Sequence, residues 1–163
     1  MSKRVQIGLL VAAVAAVAWF WMRASPAERE IRRMFSDLTA EFNSSATDGL
    51  STVTRAARIG GFFSDDVVVE LGEGSPPIRG RETLIGMAAR LRPRTAGFEL
   101  ELKDVQVELI DDRHGEVVLT AVIRRRSQAS GEESLDAREF SADVHRDEGR
   151  WRIRRIVAID TLR

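Results

Sequence analysis

Residues 98–160 alternate apolar and polar side chains through four successive runs, and this pattern limits the chain more than any other feature it has. Phe98, Leu100 and Leu102 alternate with Glu99, Glu101 and Lys103, then Val105, Val107 and Leu109 alternate with Gln106 and Glu108. Strict period two marks a half-buried strand. The one-residue slip at Lys103-Asp104 is the mark of a β-bulge, which bends a strand and predicts a curved sheet. Asp111–Gly115 supplies turn chemistry. Val117–Ile123 is apolar on both faces except at Thr120, as a central strand would be. After a polar loop at Ser127–Ser134, a third run sets Arg138, Phe140, Ala142 and Val144 against Glu139, Ser141, Asp143 and His145. Asp147-Glu148-Gly149 turns the chain into Trp151–Ile159. Four consecutive strands joined by turns make an antiparallel meander.

A meander with one apolar face needs a cover, and the preceding residues provide helices. Ser25-Pro26-Ala27-Glu28 is a capping box with proline at the first helical position. The helix it opens carries Ile31, Met34, Phe35, Leu38 and Phe42 on one stripe. A second helix is predicted from about Asp48 to Ile59, packing through Leu50, Val53, Ala56, Ala57 and Ile59, with Gly60-Gly61 as its stop. A short strand, Val67–Leu71, and a brief return at Ile78-Arg79 precede a third helix, Arg81–Leu91, that packs through Leu84, Met87, Ala88 and Leu91 and ends before Pro93. The expected fold is α+β: three helices on a strongly curved, mainly antiparallel sheet forming a cone, preceded by one transmembrane helix.

The domain division is residues 1–24 as tail and span, and 25–163 as the folded domain. Val5–Met22 holds no charge, and eighteen helical residues reach about 27 Å, enough for a bilayer core. Trp19, Phe20 and Trp21 close the run as interfacial aromatics do. A cleaved signal peptide with Ala16-Val17-Ala18 as its small-residue site is the rival reading. The length of the run favours the span. Lys3 and Arg4 favour a cytoplasmic N-terminus, whereas Arg23, Arg29, Arg32 and Arg33 pull the other way. The expected address is the inner membrane, single-pass, with the domain on the extracytoplasmic side.

Charge and composition exclude several functions. The chain carries 25 basic and 25 acidic residues, and a nucleic-acid surface would need a basic excess. With no cysteine there is neither a thiolate nucleophile nor a cysteine-ligated metal. No cofactor and no metal site are expected.

The element order resembles the nuclear transport factor 2-like superfamily, in particular its SnoaL-like and ketosteroid-isomerase-like bacterial members. Phe63-Ser64-Asp65-Asp66-Val67, Gly80-Arg81-Glu82 and Asp147–Ile153 carry that resemblance, which covers about Ala27 to Arg163. It implies a cone enclosing a pocket, used by some members for isomerisation, dehydration or cyclisation and by others only for binding or dimerisation. The isomerase-like members use a carboxylate base at the end of the first short strand, and an oxyanion hole that includes a tyrosine. Here that position holds Leu71, Glu70 points to the other face, and the chain has no tyrosine.

Other residues suggest chemistry more weakly. Asp143 and His145 share one face of their strand and are the candidate acid/base pair; the plainer reading is a polar sheet face with Arg154 and Arg152 opposite them. Asp65-Asp66 reads as a turn, and His114 with Asp111 and Asp112 as a solvated hairpin. Arg124-Arg125-Arg126 with Arg152, Arg154 and Arg155 form a row that the acids of neighbouring strands, such as Glu99, Glu101 and Glu139, would pair. Phe35, Leu38, Phe63, Met87 and Phe140 are candidate pocket linings. The expected function is a membrane-anchored binding or assembly module for a protein partner or small apolar ligand, and a tethered pocket enzyme is the alternative. Expected partners are the bilayer, through Val5–Met22, and a second copy or an envelope protein, through the sheet face. In architecture such a module resembles the bitopic component of type IV secretion systems. N-terminal sequencing of the membrane-extracted protein should return the residues ahead of Val5; a mature chain starting at Trp19 would exclude the anchor.

Overall fold

The computed structural model describes residues 25–44, 49–72, 74–90, 98–126 and 133–159. The proposed span Val5–Met22 lies outside them, as do Leu91 and Pro93. No described helix is long and apolar enough to cross a membrane.

In chain order the elements are α1 (Pro26–Asn43), α2 (Gly49–Gly60), β1 (Phe63–Glu70), β2 (Ile78–Arg79), α3 (Arg81–Arg90), β3 (Phe98–Leu109), β4 (His114–Arg126), β5 (Glu133–Asp147) and β6 (Arg150–Ala158). They form one six-stranded sheet in the order β2-β1-β6-β5-β4-β3. The meander β3 to β6 is antiparallel throughout. β1 then joins β6 in parallel, which makes the sheet mixed.

Local sequence explains most of this. Ser25 caps α1 by accepting from Glu28 N at 3.1 Å, and Pro26 occupies the first turn. The β5–β6 hairpin closes on two residues, Glu148 and Gly149, both with positive φ (48° and 80°). That is the left-handed turn whose twist suits a hairpin. The slip at Lys103-Asp104 is a bulge: the β3–β4 register shifts between Lys103 and Gln106, and Asp104 has φ 51°. Two more shifts interrupt β1 between Phe63 and Val68 and the β5–β6 ladder at Asp143–Val144. Bulges bend and twist the strands that carry them, and here the sheet curves round α1.

The concave face holds the core. Ile31 and Phe35 of α1 lie on Val117, Ala142, Val144 and Ile153, all nearly fully buried. Met34 is buried with them, while Leu38 and Phe42 pack against the rim. At Gly60 an added Cβ would meet Ile85 Cδ1 and Cγ1 at 2.5 Å, so a side chain there would force the Ile85 side chain on α3 to shift.

Several sequence expectations need correction. Leu50 and Val53 do not pack; they are 79% and 61% exposed. Ala57 is exposed too, whereas Ala56 and Ile59 are buried as the stripe predicts, joined by the long cation Arg55. Met87 is 44% exposed because α3 turns Ala88 inward. Asp65 and Asp66 belong to β1, which begins at Phe63 and ends at Glu70, leaving Leu71 beyond it. β5 starts at Glu133, earlier than the alternation from Arg138 predicts.

Phe35→Ala removes a 3%-exposed ring from the α1–sheet contact and is expected to cost about 3–5 kcal/mol. Denaturant unfolding measures it, and a loss under about 1 kcal/mol would mean that the α1 contact is not what holds the sheet.

Candidate functional site

Among the described residues the buried side chains are apolar except Arg55 and Ser64. Arg55 donates to Phe42 O at 3.2 Å and Ala88 O at 3.3 Å. Ser64 donates to Ile153 O at 3.3 Å. Of the predicted pocket linings, Phe35 and Phe63 lie within the core, and Leu38 and Phe140 pack against it. Phe35 also borders an open groove of about 590 Å³ between α1 and β3. There Asn43 exchanges two hydrogen bonds with the backbone of Leu100 (2.7 and 2.9 Å), and Arg32 donates to Val105 O.

The candidate acid/base pair stands elsewhere. Asp143 and His145 alternate with the buried Ala142 and Val144, so both point away from the core. They border a second groove, of about 580 Å³, on the convex face of the sheet, together with Asp66, His114, Arg154 and Arg155. His145 lies opposite Arg152, as alternation predicts. Asp143 lies opposite Arg155 rather than Arg154, because the irregularity at Asp143–Val144 inserts one residue into β6.

That slip redistributes the charges. Arg155 reaches Glu70 at 2.9 Å, Arg154 lies 3.4 Å from Asp66, and Arg152 contacts Asp147 at 3.6 Å. Among the described residues none of these arginines binds Asp143, so the expected cross-strand pairing is not made there. The partner of Asp143 on its other side is Glu116, a like charge whose Oε1 accepts from Ser141 Oγ at 2.9 Å. Arg124 does pair across strands, with Glu101 at 3.2 Å, and Glu101 also takes Lys103 at 3.5 Å.

His114 opens β4. Its Nδ1 lies 2.9 Å from Asp111 Oδ2, and Asp111 Oδ1 accepts from the backbone N–H groups of Arg113 and His114 at 2.7 and 2.8 Å. The Arg113 N–H first, and the His114 ring next, hold the Asp111 carboxyl below its ordinary value. Asp66 is also held low, first by the Ser64 hydroxyl and then, against slight desolvation, by its own backbone N–H and by Arg154. Sequence reasoning missed that His114 and His145 are direct cross-strand partners, and nothing local to either residue reveals it.

A folded-state value below the ordinary 3.8 means that Asp66 contributes stability above that pH, and that the contribution is lost as pH falls through the lowered value. Asp66→Asn is therefore expected to lower the urea midpoint near neutrality and to converge on the parent under strongly acid conditions. The effect should stay under about 1 kcal/mol, since the Asp66–Arg154 pair is exposed and screened. Urea titrations at a series of pH values measure it; a gap that widens on acidification would refute the assignment.

A SnoaL-like domain model matches residues 53–157, more than half of the chain. An NTF2-like protein with a cystatin-like fold from Novosphingobium aromaticivorans superposes with TM-score 0.65 at 15% identity, covering 91% of this chain and 90% of that one. The hexachlorocyclohexane dehydrochlorinase LinA-type3 from Novosphingobium barchaimii gives 0.62 at 12% identity, with 83% and 87% covered. The association domain of C. elegans CaMKII gives 0.64 at 13%, with 81% and 94% covered. At these identities the likeness shows the fold alone. No curated protein sequence matches the chain.

Proposed function

Since the chain belongs to the SnoaL-like domain family, a family whose fold serves both catalysis and assembly, we propose that this member is a membrane-anchored, non-catalytic module that binds a protein partner or a small apolar ligand. One observation carries the reading: Asp143 and His145 point outward from the convex face, away from a concave side filled by Ile31, Phe35, Val144 and Ile153. An acid/base pair works on a substrate held within hydrogen-bond reach of it and sequestered from water. A groove on an open sheet face is suited instead to docking.

The partner in this reading is a second copy or an envelope protein seated on the convex face. The association domain among the similar structures is a precedent for such use of the fold. The anchor is Val5–Met22, with the domain held outside the cytoplasm at the inner membrane. Ile110, 71% exposed beside the groove, adds apolar area to the face. The second reading, a tethered pocket enzyme for a small hydrophobic molecule, draws on Asp143 and His145 sharing one groove and on the dehydrochlorinase among the similar structures.

Complementation of a deletion strain separates the two. His145→Gln, Asp143→Asn and the double variant should fold, insert and complement normally. Losing a positioned acid/base group typically slows a reaction about 10²–10⁴-fold. A variant present at normal abundance that still associates with its partner but fails to complement would turn the assignment to the enzyme.

A further inference from the structure

A third groove, of about 500 Å³, lies between α1, the end of α2 and the β5–β6 turn. It shares no lining residue with the other two. Local sequence builds it. Gly149, with φ 80°, closes the hairpin, and strand alternation then leaves Arg150 exposed and turns Trp151 inward. Ile153 N donates to Phe62 O at 2.9 Å, which sets the chain leaving α2 beside β6. From α1, Met34 is buried, while Arg33 and Asp37, one turn apart, stay exposed.

The floor of the groove is apolar, formed by Met34, Phe62 and Trp151, and its rim is charged. On the rim Glu41 is engaged by Arg58 at 2.7 Å, and Glu30 by Arg146 at 3.1 Å. Arg33, Arg150 and Asp37 enter no ion pair among the described residues. With the two pairs neutral, Arg33 and Arg150 stand against Asp37 alone, one positive charge in excess. Trp151 supplies a second and independent sign. It is 6% exposed, and among the described residues its Nε1 is buried with no hydrogen-bond partner. Buried donors are paired in nearly all folded proteins, and one left unmade is destabilising until an acceptor reaches it. Arg146 does not fill that role, being a cation over the ring, 6.0 Å from the centroid.

We infer that this groove binds a small amphipathic carboxylate, an aromatic or short aliphatic acid. Its apolar body lies on Met34, Phe62 and Trp151, and its carboxylate is held by Arg33, Arg150 and the Trp151 N–H. A guanidinium fork matches a carboxylate in shape as well as charge. The carboxylate is the acceptor that the indole N–H lacks, and its single charge matches the excess on the rim. A cation would meet Arg33 and Arg150, and a neutral apolar molecule would leave the N–H unpaired. The volume lies within the range of small-molecule sites, about 300–1,000 Å³. The site is separate from the convex face and stands whichever partner docks there.

Proton–nitrogen NMR of the full-length protein, titrated with 3-phenylpropionate, tests this. The Trp151 indole resonance is the one missing from Trp151→Phe, and Trp19 and Trp21 serve as internal controls. The Trp151 resonance should move and saturate at one ligand per chain while the controls stay. Arg33→Gln and Arg150→Gln should each weaken binding about tenfold by removing a charge-assisted hydrogen bond, with the rest of the spectrum unchanged. An unmoved Trp151 resonance at millimolar probe would overturn the inference. So would undiminished binding in both arginine variants. Equal binding of the uncharged 3-phenylpropanol would overturn it as well, by reducing the groove to an apolar surface.

Discussion

The buried guanidinium of Arg55 is the interaction on which the arrangement of helices depends. It is 2% exposed and donates to the carbonyls of Phe42 and Ala88. Both belong to the last turn of a helix, where carbonyls lack intrahelical partners and the helix dipole is negative. One cation therefore satisfies the ends of α1 and α3 together, from a position on α2. Burying a charge is costly, and removing one member of such an arrangement leaves the others unsatisfied. The contact thus fixes where α1 ends relative to α3, and with it the path of α1 across the sheet.

Curvature does the complementary work. A flat sheet would offer α1 a line of contact, whereas the bent one reaches it from β3, where the Lys103–Gln106 shift lies, and from the β6 end. The same irregularities set the chemistry of the outer face. Inserting Arg154 into β6 sets Arg155, whose guanidinium reaches Glu70, opposite Asp143 on one side, with Glu116 opposite it on the other. A backbone device that shapes the core thereby also decides which charges on the far side stay unpaired.

Features encoded within a few residues were legible in the sequence. The Ser25-Pro26 cap, the Glu148-Gly149 hairpin and the bulge at Lys103-Asp104 all follow from local chemistry. So does the outward direction of Asp143 and His145, which period two alone establishes. What could not be read was non-local. The parallel pairing of β1 with β6 depends on two strands separated by most of the domain. The burial of Arg55 could not be read either, because the carbonyls that receive it sit on other helices. The opposition of His114 and His145 depends on the β4–β5 register, which neither histidine's neighbours reveal. Leu50 and Val53 misled for the same reason, since the contacts made by α2 were inferred from its own stripe alone.

The amide of Asn43 meets the backbone of Leu100 as a neighbouring strand would, giving one hydrogen bond and receiving another. β3 is the outermost strand of its side of the sheet, and bare strand edges recruit further strands from other molecules. A single side chain on a helix thus stands where the next copy would add, with Arg32 beside it on Val105 O. The sheet is thereby discouraged from growing sideways into fibrils along this edge.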